Sequence, residues 1–170
     1  MANVVFVTEL GDIELFIDEK RAPVSAKNFL RYVAAKAYDG TSFYRTVTTN
    51  PDNQPGKTVK IDVIQGGPPD DVKGFPSVTL ERTSKTGLKH EDGTLSMARD
   101  TPDSATSAIF ICVGNQPELD FGGKRNPDGQ GFAAFGKVVR GRDVVKRIHA
   151  SKSEEQRLKP AIAIKKAFKK

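Results

Sequence analysis

Few side chains in this 170-residue sequence could act as nucleophiles, proton carriers or metal ligands. There are two histidines, His90 and His149, and one cysteine, Cys112, and their spacing matches no zinc site. His149 follows an apolar helical stripe, where a histidine interacts favourably with the helix dipole. Cys112 lies in an apolar run, where it would pack as a small apolar side chain. We therefore expect surface or capping roles for both histidines and a core position for Cys112.

Two pairs of adjacent carboxylates, Asp70-Asp71 and Glu91-Asp92, fall in segments predicted to be loops. A calcium loop places its oxygen ligands at alternate positions and ends in glutamate, and neither pair has that pattern. The sequence also lacks the glycine-rich motifs that bind nucleotides and the Gly-x-Ser-x-Gly motif of hydrolases. These observations predict a protein that uses neither a metal nor a cofactor.

The composition indicates a soluble globular chain. Apolar residues make up 37% and charged residues 28%, and no apolar run reaches the roughly 20 residues of a membrane helix. The length fits a single domain over residues 1–170. The first residues show no basic stretch followed by an apolar run, which predicts a cytoplasmic protein, or a periplasmic one if a leader has been removed.

The net charge of +6 is concentrated at one end of the chain. Lys137–Lys170 contains 12 basic and 3 acidic residues, whereas Met1–Gly136 is mildly acidic. A basic excess can indicate nucleic acid or an anionic membrane as the partner. No aromatic residues alternate with the basic ones as they do on base-stacking surfaces. We therefore expect a solvated basic face, without a nucleic-acid or membrane partner.

Short apolar runs with alternating polarity predict a mainly β fold. Asn3–Ile17 has the pattern of a hairpin with Gly11-Asp12 at its turn, and Pro23 begins a helix with an apolar stripe. Further elements are strands at Ser42–Val47, Ile61–Gln65, Thr94–Ala98, Ile109–Val113, Phe132–Val139 and Lys159–Phe168, and a helix at Asp143–His149. Many strands, few helices and no βαβ alternation favour a barrel or a sandwich.

Several segments, in order along the chain, resemble the cyclophilin family of peptidyl-prolyl cis-trans isomerases. They are Ala22–Phe29, Tyr38–Arg45, Gln65–Gly67, Gly93–Arg99 in its bacterial form, Asp103–Ser107 followed by Phe110-Ile111, and Phe135–Gly141. Each match alone is weak, but together and in this order they are specific. The resemblance implies a closed antiparallel eight-stranded β-barrel capped by two helices, which agrees with the predicted elements.

The same resemblance implies isomerisation of Xaa-Pro bonds in protein folding. The amide double bond gives this reaction a barrier near roughly 20 kcal/mol, and a hydrogen bond to the prolyl nitrogen weakens that double bond. By resemblance, Arg45 donates this bond, while Gln65 orients Arg45 and holds the substrate backbone. An arginine suits the role because it is always charged and presents fixed donors.

The proline pocket implied by the resemblance is apolar. Its residues would be Val63, Ala98, Phe110 as the floor, Leu119, and Phe132 in place of the family's histidine or tyrosine. Without the surrounding motifs, Phe110 and Leu119 would be interpreted as core residues and Arg45 as a surface strand residue.

The sequence departs from the family pattern around this pocket. Asp62 stands where the family has a phenylalanine that walls the pocket, and its carboxylate could compete for Arg45. Ala108 replaces a substrate-binding glutamine, and Glu118 replaces an aromatic residue that contacts cyclosporin in some members. The long link between Arg45 and Gln65 indicates an insertion over Thr48–Lys60. We therefore expect reduced isomerase activity and weak cyclosporin binding.

Two functional hypotheses follow from this pattern. The first is an isomerase that acts on proline-containing peptides and unfolded proteins as a monomer. The alternative is a peptide-binding module that keeps the groove but has lost most or all catalysis. Asp62 and Ala108 favour the module, whereas Arg45, Gln65 and Phe110 favour the enzyme.

Overall fold

The computed structural model describes residues 2–69 and 74–170, so the carboxylate pair Asp70-Asp71 lies outside the described residues. Within those ranges the strands are β1 (Ala2–Thr8), β2 (Gly11–Ile17), β3 (Thr41–Val47), β4 (Val63–Gly66), β5 (Thr94–Met97), β6 (Ile109–Cys112), β7 (Ala134–Arg140), β8 (Ser153–Glu154) and β9 (Arg157–Lys169). The helices are α1 (Pro23–Ala34), α2 (Thr83–Thr86) and α3 (Arg142–His149), with a 3₁₀ turn at Pro117–Leu119.

Eight of the described strands form a closed barrel. They are hydrogen-bonded in the order β1-β2-β7-β5-β6-β4-β3-β9, and β9 pairs back onto β1. The pairs are antiparallel, and β8 only extends β9 as a short hairpin. The closed eight-stranded barrel confirms the predicted fold class. The short β8, α2 and the 3₁₀ turn are additions that the sequence patterns did not predict.

The predicted first hairpin and first helix are both present, but the hairpin turns at Glu9-Leu10 rather than at the predicted Gly11-Asp12, which begins β2. Gly11 opens β2 at φ 131°, a conformation that residues with a side chain rarely adopt. Pro23 is the first residue of α1, and the free backbone amides of Val24 and Ser25 donate to the carboxylate of Glu81 at 3.1 and 2.6 Å. A distant acidic side chain therefore caps this helix and complements its dipole.

The buried apolar residues form two separate clusters. The barrel core fills the inside of the barrel and includes Phe6, Phe29, Phe43, Leu95 and Phe135, all fully buried. The outer cluster lies on the other face of β4 and β6 and consists of Val47, Ile61, Val63, Phe110, Cys112 and Leu119, with Ala98 and Phe132 packed against it.

Strands β4 and β6 contribute alternate residues to the two clusters. Ile64 and Ile111 belong to the barrel core, whereas Val63, Phe110 and Cys112 belong to the outer cluster. Both faces of these strands are therefore apolar. Cys112 is fully buried, as predicted, and burial raises the pKa of its thiol.

The basic end of the chain is exposed to solvent. Four lysines of the closing strand and C-terminus are exposed, namely Lys165, Lys166, Lys169 and Lys170. These lysines are solvated as expected, and the absence of a nucleic-acid or membrane partner stays a prediction. Among the described residues, no helix has the length and apolarity needed to cross a membrane. Residues 2–69 and 74–170 also contain no group of three or more His, Cys, Asp or Glu residues placed to hold a metal.

Candidate active site

The register of four neighbouring strands brings the candidate site together. Arg45 on β3 pairs with Gln65 on β4, Gln65 pairs with Phe110 on β6, and Phe110 pairs with Ser96 on β5. Residues that pair across strands project from the same face of a sheet. The fold therefore places the predicted donor, its partner and the predicted pocket floor side by side on the outer face of the barrel.

Arg45 is held by two glutamine side chains. Its Nη1 donates to Oε1 of Gln65 at 2.7 Å, and its Nε donates to Oε1 of Gln156 at 2.9 Å. Gln65 in turn donates from Nε2 to the hydroxyl of Tyr44 at 3.2 Å. These bonds fix the plane of the guanidinium, while Nη2 takes no part in them. Gln156 lies beyond the motifs that resemble the family, and no sequence pattern indicated its role.

The charge of Arg45 is only half-exposed and faces neutral acceptors. Burial lowers the pKa of the guanidinium from its ordinary value, and the phenol of Tyr44 opposes that shift. An arginine nevertheless remains protonated in proteins, so its donors are available at neutral pH. A charge that is partly removed from water and bound only to amides interacts strongly with a ligand that accepts its remaining hydrogen bonds.

A pocket of about 280 Å³ is lined by Arg45 and Gln65 together with apolar side chains. Its apolar lining consists of Ile61, Val63, Ala98, Phe110, Leu119, Pro127 and Phe132. The structure therefore groups seven of the eight predicted site residues around one cavity and leaves out only Asp62. Ile61 is a lining residue that the sequence interpretation missed.

Phe110 is fixed by aromatic contacts on two sides. Its ring lies stacked on the imidazole of His90, with the ring centroids 5.9 Å apart and the planes at 10°. The ring of Phe132 meets it edge-on at 5.5 Å, and the guanidinium of Arg99 lies 4.7 Å from the Phe132 centroid. Such contacts lock a rotamer. The pocket floor is therefore rigid before any ligand enters.

His90 is buried, which corrects the expectation of a surface or capping role. Its Nδ1 lies 2.7 Å from Oδ1 of Asp120, and its Nε2 lies 2.9 Å from Oγ of Ser96. Burial raises the pKa of Asp120, but the hydrogen bonds from His90 outweigh that effect and hold it below its ordinary value. No local sequence pattern indicates this contact, because Asp120 lies 30 residues away from His90.

These three residues have the order of a hydrolytic Ser-His-Asp triad, but the geometry excludes that chemistry here. Ser96 is 0% exposed and His90 is 1% exposed. A nucleophile must reach the substrate, and a fully buried hydroxyl bound to His90 does not. The chain of hydrogen bonds therefore supports the pocket floor from behind.

Asp62 does not line the pocket, which corrects the expectation that it replaces an apolar wall with a charge. Its carboxylate accepts hydrogen bonds from the backbone amide and the hydroxyl of Thr49, both at 2.9 Å. It also lies 3.3 Å from Nε2 of His149, in the last turn of α3. The wall is formed by Ile61 and Val63, and the acceptors bound to Arg45 are amides rather than Asp62.

The segment Thr48–Lys60, predicted to be an insertion, folds around one buried glutamine. Gln54 is 1% exposed, and its Nε2 donates to the carbonyl oxygens of Thr48 and Ile61, each at 2.9 Å. Its Oε1 accepts from the amide of Ile61 at 2.9 Å and from Nη1 of Arg125 at 2.5 Å. The insertion is thus tied to β4 and to the loop that carries Arg125, and it forms part of the pocket rim.

The structure also shows where Ala108 and Glu118, the other two departures from the family pattern, lie. Ala108 is 2% exposed and directly precedes β6. Glu118 is half-buried, and its carboxylate accepts from the backbone amide of Lys124 at 3.0 Å. Neither residue lines the pocket of about 280 Å³.

Comparisons with known proteins agree with this fold. A family model described as cyclophilin type peptidyl-prolyl cis-trans isomerase/CLD matches residues 3–168. The chain therefore belongs to the cyclophilin-type peptidyl-prolyl cis-trans isomerases, which confirms the predicted family and its isomerase class.

Individual relatives support the assignment. Peptidyl-prolyl cis-trans isomerase A of Dickeya dadantii (strain 3937) is 38% identical over 89% of this chain and 73% of that protein. Peptidyl-prolyl cis-trans isomerase B of Escherichia coli (strain K12) is 34% identical over 85% of this chain and 82% of that protein. Such bacterial relatives agree with the bacterial form of the motifs.

Solved structures show the same fold. The crystal structure of a cyclophilin type peptidyl-prolyl cis-trans isomerase of Cryptosporidium parvum matches with a TM-score of 0.79 and 23% identity, covering 99% of this chain and 97% of that one. A second structure of that protein, in the presence of the dipeptide Ala-Pro, matches with a TM-score of 0.77 and 24% identity, covering 98% of this chain and 97% of that one.

Proposed function

We propose that this chain accelerates cis–trans isomerisation of Xaa-Pro bonds, with Arg45 as the donor to the prolyl nitrogen. The observation that carries the proposal is the Arg45–Gln65 hydrogen bond of 2.7 Å in a pocket whose apolar floor is Phe110. In the twisted transition state the prolyl nitrogen regains its lone pair and becomes a hydrogen-bond acceptor. A fixed cationic donor therefore binds the transition state more strongly than it binds the ground state.

Each side chain of the site has a distinct role in this mechanism. Nη2 of Arg45 is the donor for the substrate, because Nε and Nη1 are bound to Gln156 and Gln65. Gln65 positions Arg45 and binds the peptide backbone. The ring of proline packs on Phe110, and the remaining apolar lining consists of Ile61, Val63, Ala98, Leu119, Pro127 and Phe132. Lowering the barrier by about 5 kcal/mol would accelerate the reaction by between three and four powers of ten.

The position of Asp62 weakens one argument for reduced activity. Its carboxylate is bound to Thr49 and lies near His149, so it does not compete for Arg45. The prediction of reduced activity now rests on Ala108, which lacks the amide of the family's glutamine and forgoes a hydrogen bond worth about 1 kcal/mol.

The partners of the site follow from its chemistry. We propose proline-containing peptides and unfolded proteins as substrates, and a monomer as the active form. Weak cyclosporin binding stays a prediction and is based on Glu118. A cytoplasmic location, or a periplasmic one after removal of a leader, likewise stays a prediction from the sequence.

The test is catalysis of a neutral Ala-Pro tetrapeptide, followed by exchange spectroscopy, in the wild type and in Arg45→Ala. Loss of the donor should lower kcat/KM by about a hundredfold or more. Arg142→Ala is the matched control, because Arg142 is an exposed arginine on α3 outside the pocket lining. Equal rates for Arg45→Ala and the wild type would remove Arg45 from the mechanism.

The same assay separates the enzyme from a binding module. Ala108 is the observation that favours the module, because the substrate backbone loses one partner there. A module would bind the peptide, visible as chemical-shift changes at Phe110 and Phe132, without accelerating its exchange. An acceleration that depends on Arg45 would exclude the module.

A further inference from the structure

The proline pocket has a strongly basic rim. Four of its lining residues are cationic, namely Arg45, Lys57, Arg99 and Arg125. Of the lining residues that the structure describes, none is an aspartate or a glutamate. The floor is apolar, so the ionic character of this pocket is concentrated at its mouth.

Only one of these four cations is neutralised by a carboxylate within the described part of the chain. Arg99 donates to both oxygens of Asp128, at 2.9 and 3.0 Å, and its side chain is 1% exposed. This bidentate pair cancels the charge locally. Arg99 is therefore a structural element of the wall, which holds the Phe132 ring, rather than a site for an anion.

Arg125 is held at the rim entirely by neutral oxygens. Its Nη1 donates to Oε1 of Gln54 at 2.5 Å and to the carbonyl oxygen of Val59 at 2.8 Å. Its guanidinium is half-buried. Burial lowers the pKa of this group, and the nearby positive charge of Arg45 lowers it further. Two guanidinium groups thus repel each other across the pocket, and their amide and carbonyl partners do not cancel that repulsion.

Lys57 adds a third cation from the insertion. It is exposed, and among the residues that the structure describes its ammonium has no hydrogen bond or ion pair. The backbone of Lys57 is nevertheless fixed, since its amide donates to the carbonyl oxygen of Gln54 at 3.2 Å. The buried Gln54 therefore holds the Arg125 guanidinium and the backbone of Lys57 in place before a ligand binds.

We propose that this rim selects peptides with a carboxylate side chain next to the proline, and that Arg125 and Lys57 determine this specificity. The inference rests on the proposed function, because it concerns the substrates of the same pocket. A glutamate or aspartate beside the proline would accept hydrogen bonds from one or both of these cations and relieve the repulsion between Arg125 and Arg45. A hydrogen bond to a charged group of this kind corresponds to about a tenfold preference.

The experiment measures kcat/KM for matched tetrapeptides that differ in one side chain. One series is Ala-Xaa-Pro-Phe and the other is Ala-Ala-Pro-Xaa, with Xaa as Glu, Gln or Lys. We expect Glu to exceed Gln by about tenfold, and Gln to exceed Lys, in at least one series. The Glu preference should shrink as the ionic strength is raised, because a partly exposed ion pair is screened by salt.

Charge variants assign the effect to the rim. Arg125→Gln and Lys57→Gln should each lower the ratio of the Glu rate to the Gln rate, and the double variant should bring it close to one. Arg125→Lys keeps the charge and should retain part of the preference. Lys165→Gln removes the same charge from an exposed position on β9 and should leave the ratio unchanged.

The outcomes distinguish this inference from the proposed function. If the neutral Ala-Pro peptide is isomerised but the Glu and Gln rates are equal in both series, the inference is wrong and the proposed function stands. If no peptide is isomerised, the proposed function fails. A preference for Glu that survives in the double variant would also overturn the assignment to Arg125 and Lys57. Circular dichroism and thermal unfolding verify that each variant is folded, and Lys57→Gln, at an exposed position, tests the rim even if Arg125→Gln unfolds.

Discussion

The barrel core and the outer cluster are both apolar, yet they differ in how completely they are closed off from solvent. The barrel core is sealed on every side by strands and helices, and its aromatic residues Phe6, Phe29, Phe43 and Phe135 are 0% exposed. The outer cluster is bordered by the half-buried Ala98 and Phe132 and lines the pocket. The first cluster therefore stabilises the fold, whereas the second leaves a cavity that a proline ring can fill.

This difference indicates that a strand buried on both faces can border a ligand-binding site. Every residue of β6, Ile109–Cys112, is buried, although only alternate residues point into the barrel. The outward residues of an antiparallel barrel strand normally meet water. When they are apolar and buried instead, something covers them, and in this protein that cover is the wall of the pocket.

The largest expected effects come from truncating one aromatic ring in each cluster. Phe135→Ala removes a ring packed 5.3 Å from Phe29 and should lower the free energy of unfolding by about 3–5 kcal/mol. Phe110→Ala should cost less stability, because its ring adjoins a cavity that is already present, but should lower kcat/KM for an Ala-Pro peptide more than tenfold. Denaturant unfolding and the isomerase assay measure the two effects.

The functional difference between the two clusters would be refuted by either of two results. One is a Phe110→Ala protein with wild-type activity. The other is a Phe110→Ala protein that loses as much stability as Phe135→Ala. Catalysis by Phe135→Ala should be compared at a temperature where it remains folded, so that unfolding is not mistaken for a damaged site.

A smaller effect is expected at Gln156, which connects the outer site to the β8–β9 hairpin. Gln156→Leu removes the acceptor for Nε of Arg45 while preserving much of the side-chain volume. We expect kcat to fall by about fivefold with little change in KM, because a net hydrogen bond worth about 1 kcal/mol positions the donor rather than the substrate. Gln156→Glu keeps an acceptor oxygen and should recover part of kcat.

A purely structural role for Gln156 predicts a different pattern. Gln156 also donates from Nε2 to the carbonyl oxygen of Asn53 at 3.0 Å, so Gln156→Leu could act through the insertion. In that case kcat and the Glu preference of the rim would fall together. Unchanged kcat in Gln156→Leu would contradict the positioning of Arg45.

The smallest effect is expected at Glu14, which ties strands of the barrel together away from the pocket. Hydrogen bonds from Asn3, Lys170 and Arg140, in that order of size, lower its pKa from 4.5 to about 2. Its ionised form therefore stabilises the folded state above pH 4.5, and this contribution is lost as the pH falls toward about 2. Glu14→Gln should show a weaker loss of stability over that interval in acid titrations followed by circular dichroism.

Glu9→Gln is the control for this titration, since the carboxylate of Glu9 lies at an exposed position and accepts only from the amide of Ala163 among the described contacts. An acid transition in Glu14→Gln that superimposes on that of the wild type would show that Glu14 does not contribute.

Much of the fold could be predicted because its signals are local. The alternation within Asn3–Ile17 predicted β1 and β2, and Pro23 predicted the start of α1. Arg45, Gln65 and Phe110 were found through motifs, and the cross-strand register explains why residues so far apart in the sequence share one face.

The position of Asp62 could have been predicted from the period of a strand. Side chains alternate, so Ile61, Val63 and Gln65 share a face and Asp62 takes the other one. The comparison with the family instead assigned Asp62 to the pocket wall from its spacing before Gln65 and did not use this alternation. The roles of Gln156, Arg125 and His90 had no such signal, because each depends on a contact with a segment at least 30 residues away.

The closure of the barrel has a consequence for how the chain folds. Strand β1 pairs with β9, the last strand in the sequence, and β3 also pairs with β9. Until Arg157–Lys169 has been synthesised, both β1 and β3 present unpaired backbone groups at an open edge. Open edges of this kind can pair with other chains. The 13-residue strand β9 is therefore the element that covers the edges of both β1 and β3.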